Sequence, residues 1–261
     1  APCPTTLWKY EQKAGIVNAQ KLLNEEVHFD GTLYIDGYYV KMGWRKYVEE
    51  QYGREFTKHE WKLIRNKVIY VVATHDKVVL DFEITNRMPS HLELIPLMNR
   101  IKNRIPEAQL KKMVSDEDNA IIGAVKEIFP EVDHSFCVFH QLENVTRKYL
   151  DVFNRLEEIP IPELELYKLA KDLIVAEDTI TSTIYYQKIL EIASNIELSE
   201  ASLKVIEYIK KIYKTNKKLL NNGSLPETNN VMEQLFSLIN DFVIQARSFK
   251  VIDGMANFFY N

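Results

Sequence analysis

Three carboxylates stand where acids are costly to keep or well placed for chemistry. They are Asp36 inside the run Leu33-Tyr34-Ile35-Asp36-Gly37-Tyr38-Tyr39-Val40-Lys41, Asp116 just after Lys111-Lys112-Met113-Val114-Ser115, and Glu233 in Thr228-Asn229-Asn230-Val231-Met232-Glu233. A stretch so rich in Tyr, Ile and Val reads as a central strand, where an unpaired charge is expensive, so Asp36 needs a reason. One reason is local: Asp-Gly between two apolar runs is a strong hairpin signal, with Gly37 supplying the positive φ. The other is chemical: Asp36 is a metal ligand on a rigid strand. The two further carboxylates stand where a metal-binding fold would need them.

Each acid also has a bland reading. Asp116 would serve as a solvated loop acid or as the N-cap of the helix after it. Glu233 fits a capping box with Asn230, and a helix-surface Glu needs no function. Cys137 and His140, in Cys137-Val138-Phe139-His140, invite a zinc reading. A structural zinc site needs four ligands, however, and His134 would lie on the opposite face of a strand from Cys137. Packing, or a hydrogen bond that positions a site, explains this pair better.

The elements that must position these residues follow from periodicity. Residues 6–26 read as a helix, and 43–66 as a short amphipathic excursion. Two strands, 68–74 and 78–84, are joined by His75-Asp76-Lys77, a link short enough for an antiparallel hairpin. A helix over 91–104 takes Ser90 as N-cap, a strand over 111–115 ends at Asp116, a helix spans 119–129 and a strand spans 132–140. Strand, helix, strand, helix, strand implies right-handed crossovers and a parallel part to the sheet. Four helices are expected over 142–156, 164–175, 180–192 and 203–220, the last stopped by Asn221-Asn222-Gly223. A final helix is expected from Ser224-Leu225-Pro226-Glu227, a capping-box spacing, with an apolar arc of Val231, Leu235, Leu238, Ile239, Phe242 and Ala246. The expected organisation is a helical segment over 1–30, a core over 31–140, an all-helical insertion over 141–223 and a C-terminal helical part of the core over 224–261.

Composition bounds the class. The chain has 261 residues, 46% hydrophobic and 27% charged, enough for one large domain or a domain with an insertion. Two cysteines, Cys3 and Cys137, form no disulfide framework, so a reducing setting is expected. No apolar stretch reaches membrane-spanning length, and no secretory signal opens the chain. A cytoplasmic or nucleoid-associated protein is the expectation. The net charge of -4 and pI near 5.9 run against a dedicated nucleic-acid-binding domain. Lysines nevertheless crowd the helix over 203–220, where Lys210, Lys211, Lys214 and Lys218 fall outside the apolar stripe; a solvated face or a DNA-backbone contact would both account for them.

In order, spacing and placement, Asp36-Gly37, Asp116, Cys137-x-x-His140 and Glu233 resemble the catalytic region of DDE transposases. The likeness is to the Mutator-like superfamily and related prokaryotic insertion-sequence enzymes, and it runs from Gly31 onward. It implies a ribonuclease H-like mixed five-stranded sheet interrupted by an all-helical insertion. It also implies catalysis and metal binding by Asp36, Asp116 and Glu233 with two Mg2+ (or Mn2+) ions, supported by Cys137, His140, Asn229 and Asn230. Water would attack for cleavage and a DNA 3′-hydroxyl for strand transfer. Implied partners are double-stranded transposon-end and target DNA and further copies of the chain. Two features depart from the family. Glu117-Asp118 follows Asp116 where Gly is common, which leaves Asp118 as an alternative ligand. Of the family's upstream end-binding domain only Cys3 has a counterpart, and the chain opens on Ala1, as a processed start or an excised fragment would. The alternatives are a ribonuclease H-like nuclease without strand transfer, a domesticated non-catalytic DNA-binding protein, and a helical interaction protein in which the acids are unrelated.

Overall fold

A computed structural model describes residues 13–15, 17, 18, 21, 30–43, 45–105, 109–245 and 255–257. The helix expected over 6–26 lies almost wholly outside these residues, and so does Cys3. In chain order the elements are β1 (Thr32–Lys41), α1 (Arg45–Tyr52), α2 (Lys58–Arg65), β2 (Asn66–Thr74), β3 (Val79–Asn86), α3 (His91–Arg104), β4 (Lys112–Ser115) and α4 (Asn119–Ile128). There follow β5 (Asp133–Phe136), α5 (Val138–Leu150), a 3-10 turn (Leu156–Glu158), α6 (Ile161–Ile174), α7 (Thr179–Asn195), α8 (Glu200–Asn221) and α9 (Asn230–Gln245). The fold is α/β, with a five-stranded mixed sheet of order β3-β2-β1-β4-β5 and flanking helices. Among the described residues no helix is long and apolar enough to cross a membrane.

The chain divides into two compact units. The first comprises Ala1–Lys111, Asp118–Glu131 and Asn230–Asn261. In it β2 and β3 form the expected antiparallel hairpin, and β1 pairs antiparallel with β2, running unbroken through Asp36-Gly37 from Leu33 opposite Thr74 to Lys41 opposite Asn66. The hairpin reading of Asp36-Gly37 therefore falls. Gly37 has a steric reason instead: it lies opposite Tyr70, and a Cβ there would sit 2.8 Å from Val68 Cγ1 and 3.2 Å from Tyr70 Cε1. The expected excursion becomes α1 and α2, the latter closed by a capping box of Thr57 and Glu60. Glu93 accepts the Ser90 N–H at 3.0 Å at the start of α3, and Arg100 from α3 reaches Asp81 at 2.6 Å and Glu83 at 3.0 Å on β3.

The second unit comprises Lys112–Glu117 and Val132–Asn229. Here β4 and β5 pair in parallel, Ser115 beside Phe136, and α5 to α8 enclose a core that includes Val145, Tyr149, Leu166, Leu173, Ile189, Val205, Ile209 and Ile212. The helix expected over 142–156 runs instead from Val138 to Leu150, with a separate 3-10 turn at Leu156–Glu158, and two further boundaries differ from expectation. The strand expected over 132–140 stops at Phe136, because the Cys137 C=O already accepts the Gln141 N–H at 3.0 Å and α5 begins. Helical periodicity in Val138, Gln141, Val145 and Tyr149 outweighs the β-like run Phe136-Cys137-Val138-Phe139. The final helix starts at Asn230 rather than Ser224. The would-be capping residues are engaged elsewhere: Ser224 donates to Asp133 at 2.9 Å, and the buried Lys112 ammonium holds the Leu225 carbonyl and, at 2.7 Å, the Glu227 carboxylate. In the expected apolar arc Leu238 is exposed, while the side chains of Phe242 and Ala246 lie outside the described residues. The stop after α8 is as expected, with Gly223 at φ +76°.

Gly37→Ala should destabilise the protein by about 1–3 kcal/mol, since both opposing side chains are buried and Val68 is stiff at χ1. A thermal melt of the variant against the parent measures it; an unchanged midpoint would mean that the strand has slack at this point.

Candidate functional site

In the second unit β4 delivers Asp116 immediately beyond its last residue, and α5 presents Cys137 at its N-cap and His140 one turn later. One donor atom from each of Asp116, Cys137 and His140 lies within 4.8 Å of the others. This group could hold a metal ion, and a carboxylate, a thiol and an imidazole together suit a borderline cation such as Zn2+ better than Mg2+. His140 Nδ1 stands 2.6 Å from Asp116 Oδ1. Neither atom has a well-directed hydrogen-bond partner, so the contact is best described as an ion pair. The Asp116 carboxylate first, and the Cys137 side chain second, raise the imidazole pKa to about 11.

Sequence reasoning sought a third donor in His134 and rejected it. The structure finds that donor in Asp116, which no short spacing rule connects to Cys-x-x-His. His134 instead pairs its Nε2 with Ser115 Oγ at 2.8 Å, and burial lowers its pKa to about 4. Cys137 is held from both sides: its N–H donates to the Ser115 carbonyl at 2.7 Å, and the buried Asn229 donates its backbone N–H to Cys137 Sγ at 3.2 Å. Asn230 is exposed as the first residue of α9.

Asp118 accepts the Ala120 N–H at 2.7 Å, capping α4, and the Tyr70 hydroxyl at 2.8 Å. Burial, with Asp118 beside it, pushes the Tyr70 hydroxyl far up, so it stays a donor. The N-cap role open to Asp116 thus belongs to Asp118. Glu117, singled out in the sequence only as a departure from the family pattern, is gripped by the Tyr208 hydroxyl and by Lys211 Nζ at 3.0 Å, both on α8.

In the first unit Asp36 Oδ1 accepts the Gly37 N–H at 2.7 Å. Two residues on, and so on the same strand face, Tyr38 packs its ring 5.1 Å from that of Phe236 and donates its hydroxyl to Asn240 at 2.9 Å. Glu233, Phe236 and Asn240 follow one another on a single face of α9 at helical spacing. Asp36 and Glu233 therefore belong to the facing surfaces of β1 and α9, with Glu233 exposed. On α8, Lys210, Lys211, Lys214 and Lys218 are all exposed, and of these four it is Lys211 that pairs with Glu117. Compared with known proteins, the chain matches no family model and no curated relative.

Two measurements check this geometry. Co2+ added to the protein should give a thiolate-to-cobalt absorption band, absent in Cys137→Ser and weakened in His140→Ala; a band that survives Cys137→Ser would place the ion elsewhere. The depressed His134 pKa also sets a pH window. An unfolded chain takes up this proton near the ordinary 6.5 and the native state only near 4. Its contribution to stability is therefore complete above pH 6.5 and is lost as pH falls towards 4. The melting temperature of His134→Gln should fall less steeply than the parent's across that window.

Proposed function

We propose that the chain is the catalytic region of a DDE-type DNA transposase, a metal-dependent enzyme that cleaves DNA strands and joins them. The observation that supports this most is the placement of three acids on a mixed sheet of order β3-β2-β1-β4-β5: one inside the first strand, one just past the fourth, and one on the last described long helix. That order and placement are compatible with a ribonuclease H-like core, with the helices between Asp116 and Glu233 as the inserted part.

In this reading Asp36, Asp116 and Glu233 would hold two Mg2+ or Mn2+ ions, which would supply stabilisation of the attacking and leaving oxygens. The protein supplies hard ligands and positioning and no nucleophile of its own. Asp36 rests on a fully paired strand, so its carboxylate is held without loop motion. His140 fixes Asp116 by charge, and the Asn229 N–H fixes the Cys137 sulfur from which that helical turn begins. The exposed lysines of α8 face the nucleic-acid backbone, and double-stranded DNA and further copies of the chain are the partners.

Asp36→Asn keeps the shape and removes the charge. It should reduce Mg2+-dependent cleavage of a labelled duplex by about 100-fold or more while leaving the thermal melt within a few degrees of the parent. Asp116→Asn and Glu233→Gln should do the same. Cleavage in Asp36→Asn equal to the parent's at the same metal concentration would reject the assignment. Cleavage without joining of a supplied 3′-hydroxyl end would favour a hydrolytic nuclease, and DNA binding without cleavage a non-catalytic binder.

A further inference from the structure

Glu117 is an acid in basic surroundings. Its side chain is only 12% exposed, whereas that of its partner Lys211 is 57% exposed. Among the described residues its carboxylate meets three donors: the Tyr208 hydroxyl, Lys211 Nζ at 3.0 Å and Asn144 Nδ2 at 3.4 Å. More positive charge stands around these donors. Arg147 donates to Asn144 Oδ1 at 2.7 Å, and Lys148 Nζ lies 4.8 Å from the centre of the Tyr208 ring. Along α8, Lys204, Lys211 and Lys218 recur every seven residues, two turns apart, so they form a line on one side of the helix with Lys211 in its middle and Lys204 paired with Glu200 at 2.7 Å. The cradle offers an anion an ammonium, a phenol and an amide, with a guanidinium and a second ammonium nearby, and carboxylate and phosphodiester oxygens accept from the same donors.

We propose that Glu117 is an internal stand-in for a backbone phosphate, seated between Lys211, Tyr208 and Asn144 until a nucleic-acid strand displaces it. The ligand is a phosphodiester in a strand rather than a lone anion, because the cradle sits within a line of cations two helical turns apart. This rests on the reading of the chain as a nucleic-acid-processing protein, but it concerns binding alone.

The test is a fluorescence-anisotropy titration of the full chain with a labelled DNA duplex in the absence of divalent ions, where cleavage is not read. Glu117→Gln should bind about three- to tenfold more tightly than the parent. Glu207→Gln, which removes one charge from an exposed position on the same helix, should change affinity by less than about twofold. Glu117→Asp keeps the charge but falls a methylene short of its donors, so it should gain part of the effect. Lys211→Gln should weaken binding more in the Glu117→Gln background than in the parent, where that lysine is already occupied. Thermal melts confirm that each variant is folded; if Glu117→Gln is not, Glu117→Asp with its Lys211→Gln double variant carries the comparison. A gain no larger than that of Glu207→Gln, or additive effects of Glu117→Gln and Lys211→Gln, would overturn the proposal. A chain that binds as described yet cuts no DNA in Mg2+ would sink the transposase reading and leave this one standing. Failure of parent and variants alike to bind nucleic acid would end both.

Discussion

The second unit depends on how Cys137 is fixed. Its N–H reaches back to Ser115 at the end of β4, its carbonyl starts α5 by accepting the Gln141 N–H, and its sulfur takes the Asn229 N–H from the segment that leads into α9. The Val138 N–H adds a bond to the Glu227 carbonyl at 2.9 Å. One residue thus joins a strand end, a helix start and a strap distant in sequence. The strap satisfies one N–H group that a helix start leaves open, that of Val138, and the Cys137 sulfur in turn accepts the strap's own Asn229 N–H. With Cys137 fixed, His140 is set one turn along α5, and its charge meets Asp116. The metal-capable group is therefore a by-product of how this junction is tied.

Much of the framework was legible in the sequence because it rests on local rules. The β2–β3 connection, the Ser90 start of α3 and the Gly223 stop after α8 all follow from residue type and spacing. What failed were patterns whose true partners are distant. Asp36-Gly37 has the composition of a turn, yet the glycine answers to the Tyr70 ring on the neighbouring strand. Ser224-Leu225-Pro226-Glu227 has capping-box spacing, yet a buried lysine on β4 ties the segment down ahead of the helix. The third donor of the metal-capable group could not be read either, since only the packing of β4 against β5 and α5 brings Asp116 to Cys137 and His140.

Charge shows the same division between local and long-range rules. The lysine-rich helix reads as one positive face, and Lys210, Lys214 and Lys218 are exposed on it. Lys211 differs because its neighbours in space come from elsewhere: Glu117 beyond β4, and the Phe136 ring at 5.8 Å. A residue that sequence reasoning grouped with three equivalents thus has its own environment. Of the acids in Asp116-Glu117-Asp118, one meets an imidazolium, the next an ammonium and a phenol, and the third the N-terminus of a helix, so adjacent carboxylates have separate partners.

The interleaving of the two units bears on how the chain acquires its structure. Val138–Asn221 closes a hydrophobic core of its own from contiguous helices, with only short loops to order. Low contact order favours rapid formation of such a block. The four-residue β4, by contrast, belongs to a unit from which it is separated by a helix of the other unit, and Asn229 must return across the whole helical block to reach Cys137. Those closures have large loop entropy and gain little until both ends are in place. Assembly of the helical block before the junction around Cys137 is the order this connectivity favours, and the metal-capable group would then be among the last features of the second unit to form.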